Sequence, residues 1–308
     1  MGESFILVAS QVGTLFLLMA VGYVLARLGR FGYETQSQAT TLLLYVVTPC
    51  IIVDTLQLSP SPQLMRSMAQ CLALTLALYL GFALLMELFF RRQPADTGAV
   101  LRFGAAYGNV GFMGLPLIQG VLGEAGMIFA VVGQVVFNLL AWSHGVLAMG
   151  DRRRFSLGKM ILNPGILGSA AGIALFLLDL RLPAVAGSAV SFLGSMNTPL
   201  AMVIIGAQMA SADLLATFRC PRLYASAGLK LLLFPLVTAA VLLPLGVDHT
   251  MYIAMVILAG TPAAGLTAMF AQQFDRDTAT AAQLITLTNL CCLVTLPCCA
   301  ALAALAMG

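Results

Sequence analysis

The chain has 308 residues, of which 60% are hydrophobic and only 9% charged, with a mean hydropathy of +0.99 and a formal net charge of +3. A water-soluble domain carries roughly a quarter of its residues as charges, so composition alone excludes soluble enzymes, nucleic-acid binders and secreted modules and points to an integral membrane protein. At about 20 residues per crossing, the length accommodates roughly ten transmembrane helices and little else.

Apolar stretches long enough to span fall at 5–27, 37–57, 64–90, 99–122, 125–149, 160–180, 184–210, 221–246, 250–274 and 278–305. The first follows Met1-Gly2-Glu3-Ser4, which lacks the basic start of a signal peptide, so it is expected to persist as a helix. The second contains Thr48-Pro49 and the seventh Asn197-Thr198-Pro199, each a candidate hinge or site lining. The fourth is interrupted by Gly108, Asn109, Gly111 and Gly114, with Pro116 beyond, and the ninth by Gly260, Thr261 and Pro262, with Gly265 beyond. The fifth carries Gln134 and Asn138, the eighth Lys230, and the tenth Asn289. The seven cysteines are too scattered for a disulfide framework and read as small apolar fillers.

Counted on alternate loops, Lys and Arg divide unevenly. Arg27, Arg30, Arg91, Arg92, Arg102, Arg152, Arg153, Arg154, Lys159, Arg219, Arg222 and Arg276 fall on one side and only Arg66 and Arg181 on the other. The richer side is expected to be cytoplasmic, with both termini outside.

The two halves correspond. Thr48-Pro49 and Thr198-Pro199 lie 150 residues apart, Gly108 and Gly260 lie 152 apart, and Asn138 and Asn289 lie 151 apart. One such coincidence is cheap; three at nearly one spacing predict a five-helix repeat, 1–149, a cytoplasmic linker, 150–159, and a second repeat, 160–308. Because five is odd, the second copy enters the membrane from the opposite face, giving the inverted repeat of secondary transporters.

Breaking a helix at mid-membrane frees backbone groups that must find partners. Asn109 and Thr261, the latter followed by Pro262, both read as N-caps of fresh half-helices. The two half-helices would then aim their positive ends at the membrane centre, which makes an anion site. Lys230, about nine residues inside its span, either snorkels, pairs with a backbone carbonyl, supports the crossover or an anionic substrate, or titrates during transport. No carboxylate lies equally deep: Asp54, Glu87, Asp179 and Asp213 sit near helix ends. Cation antiport is therefore disfavoured, and sodium symport would have to use neutral oxygens of Asn109, Gln134, Asn138, Thr261 and Asn289. The only histidines, His144 and His249, form no catalytic or metal-ligating pattern, so no enzyme, cofactor or metal is expected.

Gly108-Asn109-Val110-Gly111-Phe112-Met113-Gly114-Leu115-Pro116, Leu162-Asn163-Pro164, Asn197-Thr198-Pro199 and the segment from Lys230 to Pro235 resemble the auxin efflux carrier family, which includes bacterial malonate and malate permeases. The resemblance covers essentially the whole chain. It implies an all-α membrane protein of ten helices in two inverted repeats, with crossed broken helices four and nine and a transport subdomain moving against a scaffold, as a homodimer in the bacterial inner membrane. The substrate would be a small organic anion, bound by Asn109, Gly111, Thr261, Pro262, Asn138, Asn289, Thr48, Asn197, Thr198 and Lys230. Gly108, Pro116, Gly260, Pro49 and Pro199 would serve as crossover and hinge positions. Plant relatives carry proline in both broken helices, whereas this chain has Val110 at the first of those places. The alternatives are a channel, a sensor on the same fold, or a sodium symporter of the bile-acid type.

Overall fold

The computed structural model describes residues 2–150, 164–210 and 214–307; the described residues form helices with no strand, and a single isolated antiparallel bridge joins Gly108 to Ala263. In chain order the helices of eight residues or more are α1 (Gly2–Arg27), α2 (Tyr33–Thr55), α3 (Pro62–Met86), α4 (Ala95–Ala106), α5 (Val110–Met149), α6 (Pro164–Leu177), α7 (Ala184–Ala210), α8 (Pro221–Leu245), α9 (His249–Ala259), α10 (Leu266–Gln273) and α11 (Thr278–Met307), with a short turn of helix, Leu214–Phe218, before α8. Among the described residues α1, α2, α3, α5, α7, α8 and α11 are long and apolar enough to cross a membrane.

Ten apolar stretches thus give seven long helices among the described residues, the sixth stretch being described only as α6 from Pro164. The fourth stretch is cut into α4 and the start of α5, and the ninth into α9 and α10. The fourth and fifth run together as α5, broken only at Gly123, whose φ of 60° needs a residue without a β-carbon. At 1.5 Å per residue, a helix of 11 or 12 residues such as α9 or α4 reaches about half-way through a bilayer core. The linker 151–159 with Arg152, Arg153, Arg154 and Lys159, and Leu162-Asn163, lie outside the described residues.

Prolines shape the long helices without ending them. A proline ring clashes with the carbonyl four residues back, and three widened π-turns, Leu43–Val47, Val110–Gly114 and Leu229–Leu233, each end two residues before one: Pro49, Pro116 and Pro235. Widening the turn moves that carbonyl aside. The one freed by Pro235, on Leu231, is approached by the Cys299 thiol at 3.7 Å.

The helices pack as two layers. In the first, α1 lies on α7 with their backbones touching, since a β-carbon at Gly22 would overlap the Val203 carbonyl and one at Gly206 the Met19 carbonyl. The second half of α2 packs on α6 and α7, with Gly168 against Pro49 and Gly194 against Ile51. The other layer holds α3, α4, α5 and α8 to α11 around α9, whose residues from Met251 to Ala259 are buried on every side. A helix apolar all round belongs in a core. By contrast, α1 exposes Leu17, Val21 and Val24 as an apolar stripe on the outside of the bundle.

Polar contacts sort the loops onto two ends. At one, Arg276 pairs with Asp96 at 2.6 Å and donates to the Met149 carbonyl at 2.6 Å, Glu87 meets Arg102 at 3.3 Å, and Tyr33 meets Gln272 at 3.4 Å. At the other, Arg181 holds the Gln57 carbonyl and Ser59, and the Leu182 amide donates to Gln57 Oε1 at 2.8 Å. Arg102 and Arg276, from the cation-rich set, share an end; Arg181, from the poor set, lies at the other.

Candidate functional site

The two interrupted helices meet at the centre of the second layer. Past the end of α4 the chain is extended at Tyr107, and the Tyr107 carbonyl accepts the Ala264 amide at 3.0 Å while the Asn109 amide donates to the Pro262 carbonyl at 2.7 Å. Each break therefore satisfies part of the other's freed backbone, as mid-membrane burial requires. A third bond, from the Ala263 amide to Thr288 Oγ1 at 3.2 Å, ties the crossing to α11. Asn109 (φ −79°, ψ 66°) is the centre of an inverse γ-turn closed by the Val110 amide on the Gly108 carbonyl, and its side chain caps α5 by accepting from the Phe112 amide at 3.1 Å. The N-cap expected at Asn109 is observed, and Val110 is compatible with the crossover because the γ-turn supplies the bend.

At the second break the expectation fails in detail. Thr261 does not cap α10. Its hydroxyl donates back to the Leu258 carbonyl at 2.7 Å, closing α9, and α10 starts after Gly265, with no side-chain cap. Between them, residues 261 to 264 are not helical, and Ala263 carries the bridge.

Lys230 does not snorkel. It has no exposed surface; Nζ donates to the Ala259 carbonyl at 2.8 Å and lies 4.6 Å from the Phe234 ring centroid and 5.9 Å from that of Tyr79. Ala259 is the last residue of α9, so the ammonium sits on the negative end of a helix dipole, with the aromatic faces adding cation–π attraction. Tyr79 donates to the neighbouring Leu258 carbonyl at 3.3 Å. A β-carbon at Gly108 would lie 2.6 Å from Lys230 Nζ, so glycine there admits the lysine head.

On the other flank of the crossing, three amide side chains surround Gly111. Asn197 Nδ2, from α7, donates to the Gly111 carbonyl at 3.2 Å; a β-carbon at Gly111 would lie 2.8 Å from Gln134 Oε1; and Gln134 Nε2 donates to Asn138 Oδ1 at 3.0 Å. All three are buried, yet Gln134 Oε1, Asn138 Nδ2 and Asn197 Oδ1 have no partner. An unpaired buried polar atom costs about 1–3 kcal/mol, so three at one place, both donor and acceptor, suit the recognition of a small polar molecule beside the N-terminus of α5.

Of the other predicted residues, Asn289 and Thr48 are buried: Asn289 Nδ2 bonds the Ile285 carbonyl of its own helix at 2.8 Å while its Oδ1 has no partner, and Thr48, beside Pro49 which packs on α6, has an unpartnered hydroxyl. Thr198 is half-buried and Pro199 exposed, away from the crossing. Pro116 and Gly260 are buried next to it. Sequence reasoning missed Tyr79 and Thr288. The first had a signal: Tyr79 precedes Lys230 by 151 residues, the repeat spacing itself. Thr288 had none. Among the described residues no group of three or more His, Cys, Asp or Glu side chains could hold a metal, and all seven cysteines are free.

The sequence matches the Mem_trans family, described as "Membrane transport protein", over residues 7–156 and 151–300. The chain belongs to this family. A relative from Methanothermobacter thermautotrophicus (strain Delta H), named "Uncharacterized transporter", is 26% identical over 294 residues, covering 92% of this chain and 94% of that protein. A second, from Rhizobium meliloti (strain 1021), named "Putative malonate transporter", is 27% identical over 212 residues, covering 63% and 64%. Family membership agrees with the resemblance carried by the segment from Gly108 to Pro116, and with apolar helices of crossing length it makes the chain a membrane-embedded transporter.

Proposed function

We propose that this member of the Mem_trans family is a secondary transporter of a small organic anion, a mono- or dicarboxylate of the malonate, malate or auxin kind, working by alternating access around the crossing. The observation that carries the reading is the backbone bridge between the two breaks, from which the N-terminus of α5 and that of α10 start. Helix N-termini favour anions, no acidic side chain lies among the residues of the crossing, and Asn138 Nδ2, unpartnered in the amide cluster beside Gly111, offers a donor to a carboxylate. The name of the Rhizobium relative supports the same substrate class.

The wider reading is ten spans in two inverted repeats, 1–149 and 160–308, with the cation-rich end in the cytoplasm, both termini outside, and a homodimer in the bacterial inner membrane. The two family matches divide the chain near the same linker, which supports it. Alternating access would move the α3–α5 and α8–α11 layer against the α1, α2, α6 and α7 layer, with Asn197 facing Gly111 across the boundary.

Purified protein in proteoliposomes, preloaded with unlabelled malonate, malate or a monocarboxylate, should exchange it for the labelled form. A response to cations or neutral solutes alone would reject the anion reading, and one-way leak without counterflow would favour a channel. The unpartnered oxygens of Gln134, Asn197 and Asn289 support one second reading, sodium symport through neutral ligands. Replacement of sodium by a large organic cation at clamped potential decides it, because only a symporter then loses accumulation.

A further inference from the structure

The crossing is wired to a histidine. His144 lies in the widened turn Ala141–Gly145 of α5, the one π-turn among those described with no proline two residues beyond it to cause it. Its Nδ1 is 2.9 Å from Tyr107 Oη, and Tyr107 also donates to the Leu140 carbonyl at 3.2 Å. A phenol has one proton. If that proton goes to Leu140, the imidazole must be the donor across the 2.9 Å contact, which places N–H at Nδ1 and leaves Nε2 as the basic lone pair. Tyr107 is at the same time a residue of the crossing itself, since its carbonyl accepts the Ala264 amide. His144 is half-buried near the end of α5 where Arg276 holds Met149, so it lies within reach of that aqueous face.

We propose that His144 is the binding site for a proton moved together with the substrate, coupled to the crossing through Tyr107; this rests on the transport reading above. Imidazole is the side chain that ordinarily titrates between about pH 5 and 8. Proton uptake at Nε2 gives imidazolium and leaves the chain from Nδ1 to Tyr107 to Leu140 intact, so charge can be gained without breaking a hydrogen bond. The surroundings are mostly aromatic: Phe103 lies 4.6 Å from Tyr107 between ring centroids, and Trp142 lies 5.1 Å from Phe270 on α10. Glu87, after α3, interacts electrostatically with His144 and is itself paired with Arg102 of α4. At the same end lie Asp96 of α4, paired with Arg276, Asp275 after α10, Asp277 bonded to Thr97 and near Arg222, and the exposed Arg91 and Arg92 after α3; α10 itself carries none. Protonation thus adds one cation beside the paired Glu87 and Arg102, with Tyr107 alone between it and the bridge that holds the interrupted helices together.

The test uses the full chain in sodium-free proteoliposomes with the potential clamped at zero, a panel of labelled malonate, malate and lactate, and an imposed pH difference. One proton per anion gives up to about tenfold accumulation per pH unit. In His144→Gln the ratio of gradient-driven accumulation to counterflow should lose this gain, a fall of up to about tenfold per pH unit imposed; His249→Gln, at the other histidine, should leave it unchanged. A wild-type protein indifferent to the pH difference, or a His144→Gln protein that accumulates normally, overturns the proposal. Should His144→Gln fold poorly, Tyr107→Phe breaks the relay and keeps the ring; it should lower the same ratio, and normal coupling in it counts against the site. If no carboxylate shows counterflow, the transport reading fails separately. The proton site is then judged by NMR titration of the single remaining histidine in His249→Gln, and no titration of His144 between pH 5 and 8 rejects it.

Discussion

At the scale of single residues, the crossing is held by groups that face backbone. Lys230 is the clearest case: the sequence singles it out as the one deep cation, but the same sequence suits a substrate ligand and a structural cap equally well. What separates them is the C-terminus of α9, whose carbonyls at Leu258 and Ala259 are claimed by Thr261, Tyr79 and Lys230. Lys230→Met keeps the stem and removes the charge. It orphans the Ala259 carbonyl, at a cost of about 1–3 kcal/mol, and relieves the desolvation of a buried ammonium. Substrate affinity should fall at every pH, with the pH profile of transport unchanged in shape, as measured by uptake from pH 5.5 to 8.5. A flattened profile would make Lys230 a titrating group. Thr261 teaches the complementary lesson. A threonine before a proline looks like an N-cap in sequence, and a hydroxyl bonding back to the preceding turn uses the same two residues.

At the scale of elements, glycine, asparagine and proline in mid-span made both breaks legible, because those residues are costly inside a membrane helix unless the helix stops. The joins were less so. Gly123 is one of several glycines, and only its positive φ sets it apart. The start of α11 is set by Asp277, whose side chain accepts from the Thr280 amide at 2.9 Å, from Thr280 Oγ1 at 2.6 Å and from Thr97 Oγ1 at 2.8 Å, fastening α4 to α11 outside the membrane. Partial burial raises its carboxyl pKa, but the hydrogen bonds from Thr280 and Thr97 and the charge of Arg222 outweigh this and hold it below the ordinary value. A depressed carboxyl pKa contributes stability that is complete above the unfolded-state pKa and is lost as pH falls through the folded-state value. Asp277→Ala should therefore melt lower than wild type at pH 7 by about 1 kcal/mol of cap, and the difference should shrink as the pH drops below about 4. A difference constant with pH, in detergent melting curves, would mean that the hydrogen bonds do not depend on the charge.

At the scale of the whole molecule, charge was the readable quantity and packing was not. Alternating cation counts sorted the loops, and the ion pairs and loop contacts agree where described: Arg102 with Glu87 and Arg276 with Asp96 at one end, Arg181 with Gln57 at the other. The division into two layers depends on glycines such as Gly22 and Gly206, whose partners are carbonyls nearly 200 residues away, and nothing local marks them. Agreement between ends does not say which end faces the cytoplasm, and the positive-inside rule supplies that sign. Arg92 is exposed at the cation-rich end and Gln63 is exposed in the first turn of α3, on the far side of the same span. A cysteine at either can be labelled against a background in which Cys50, Cys220, Cys291 and Cys298 are replaced; Cys71, Cys292 and Cys299 are buried beyond the reach of an impermeant reagent. In intact cells Gln63→Cys should react from outside and Arg92→Cys only after permeabilisation. The reverse pattern would invert the molecule, and labelling of both from one side would remove α3 as a crossing and with it the odd helix count on which the inverted repeat depends.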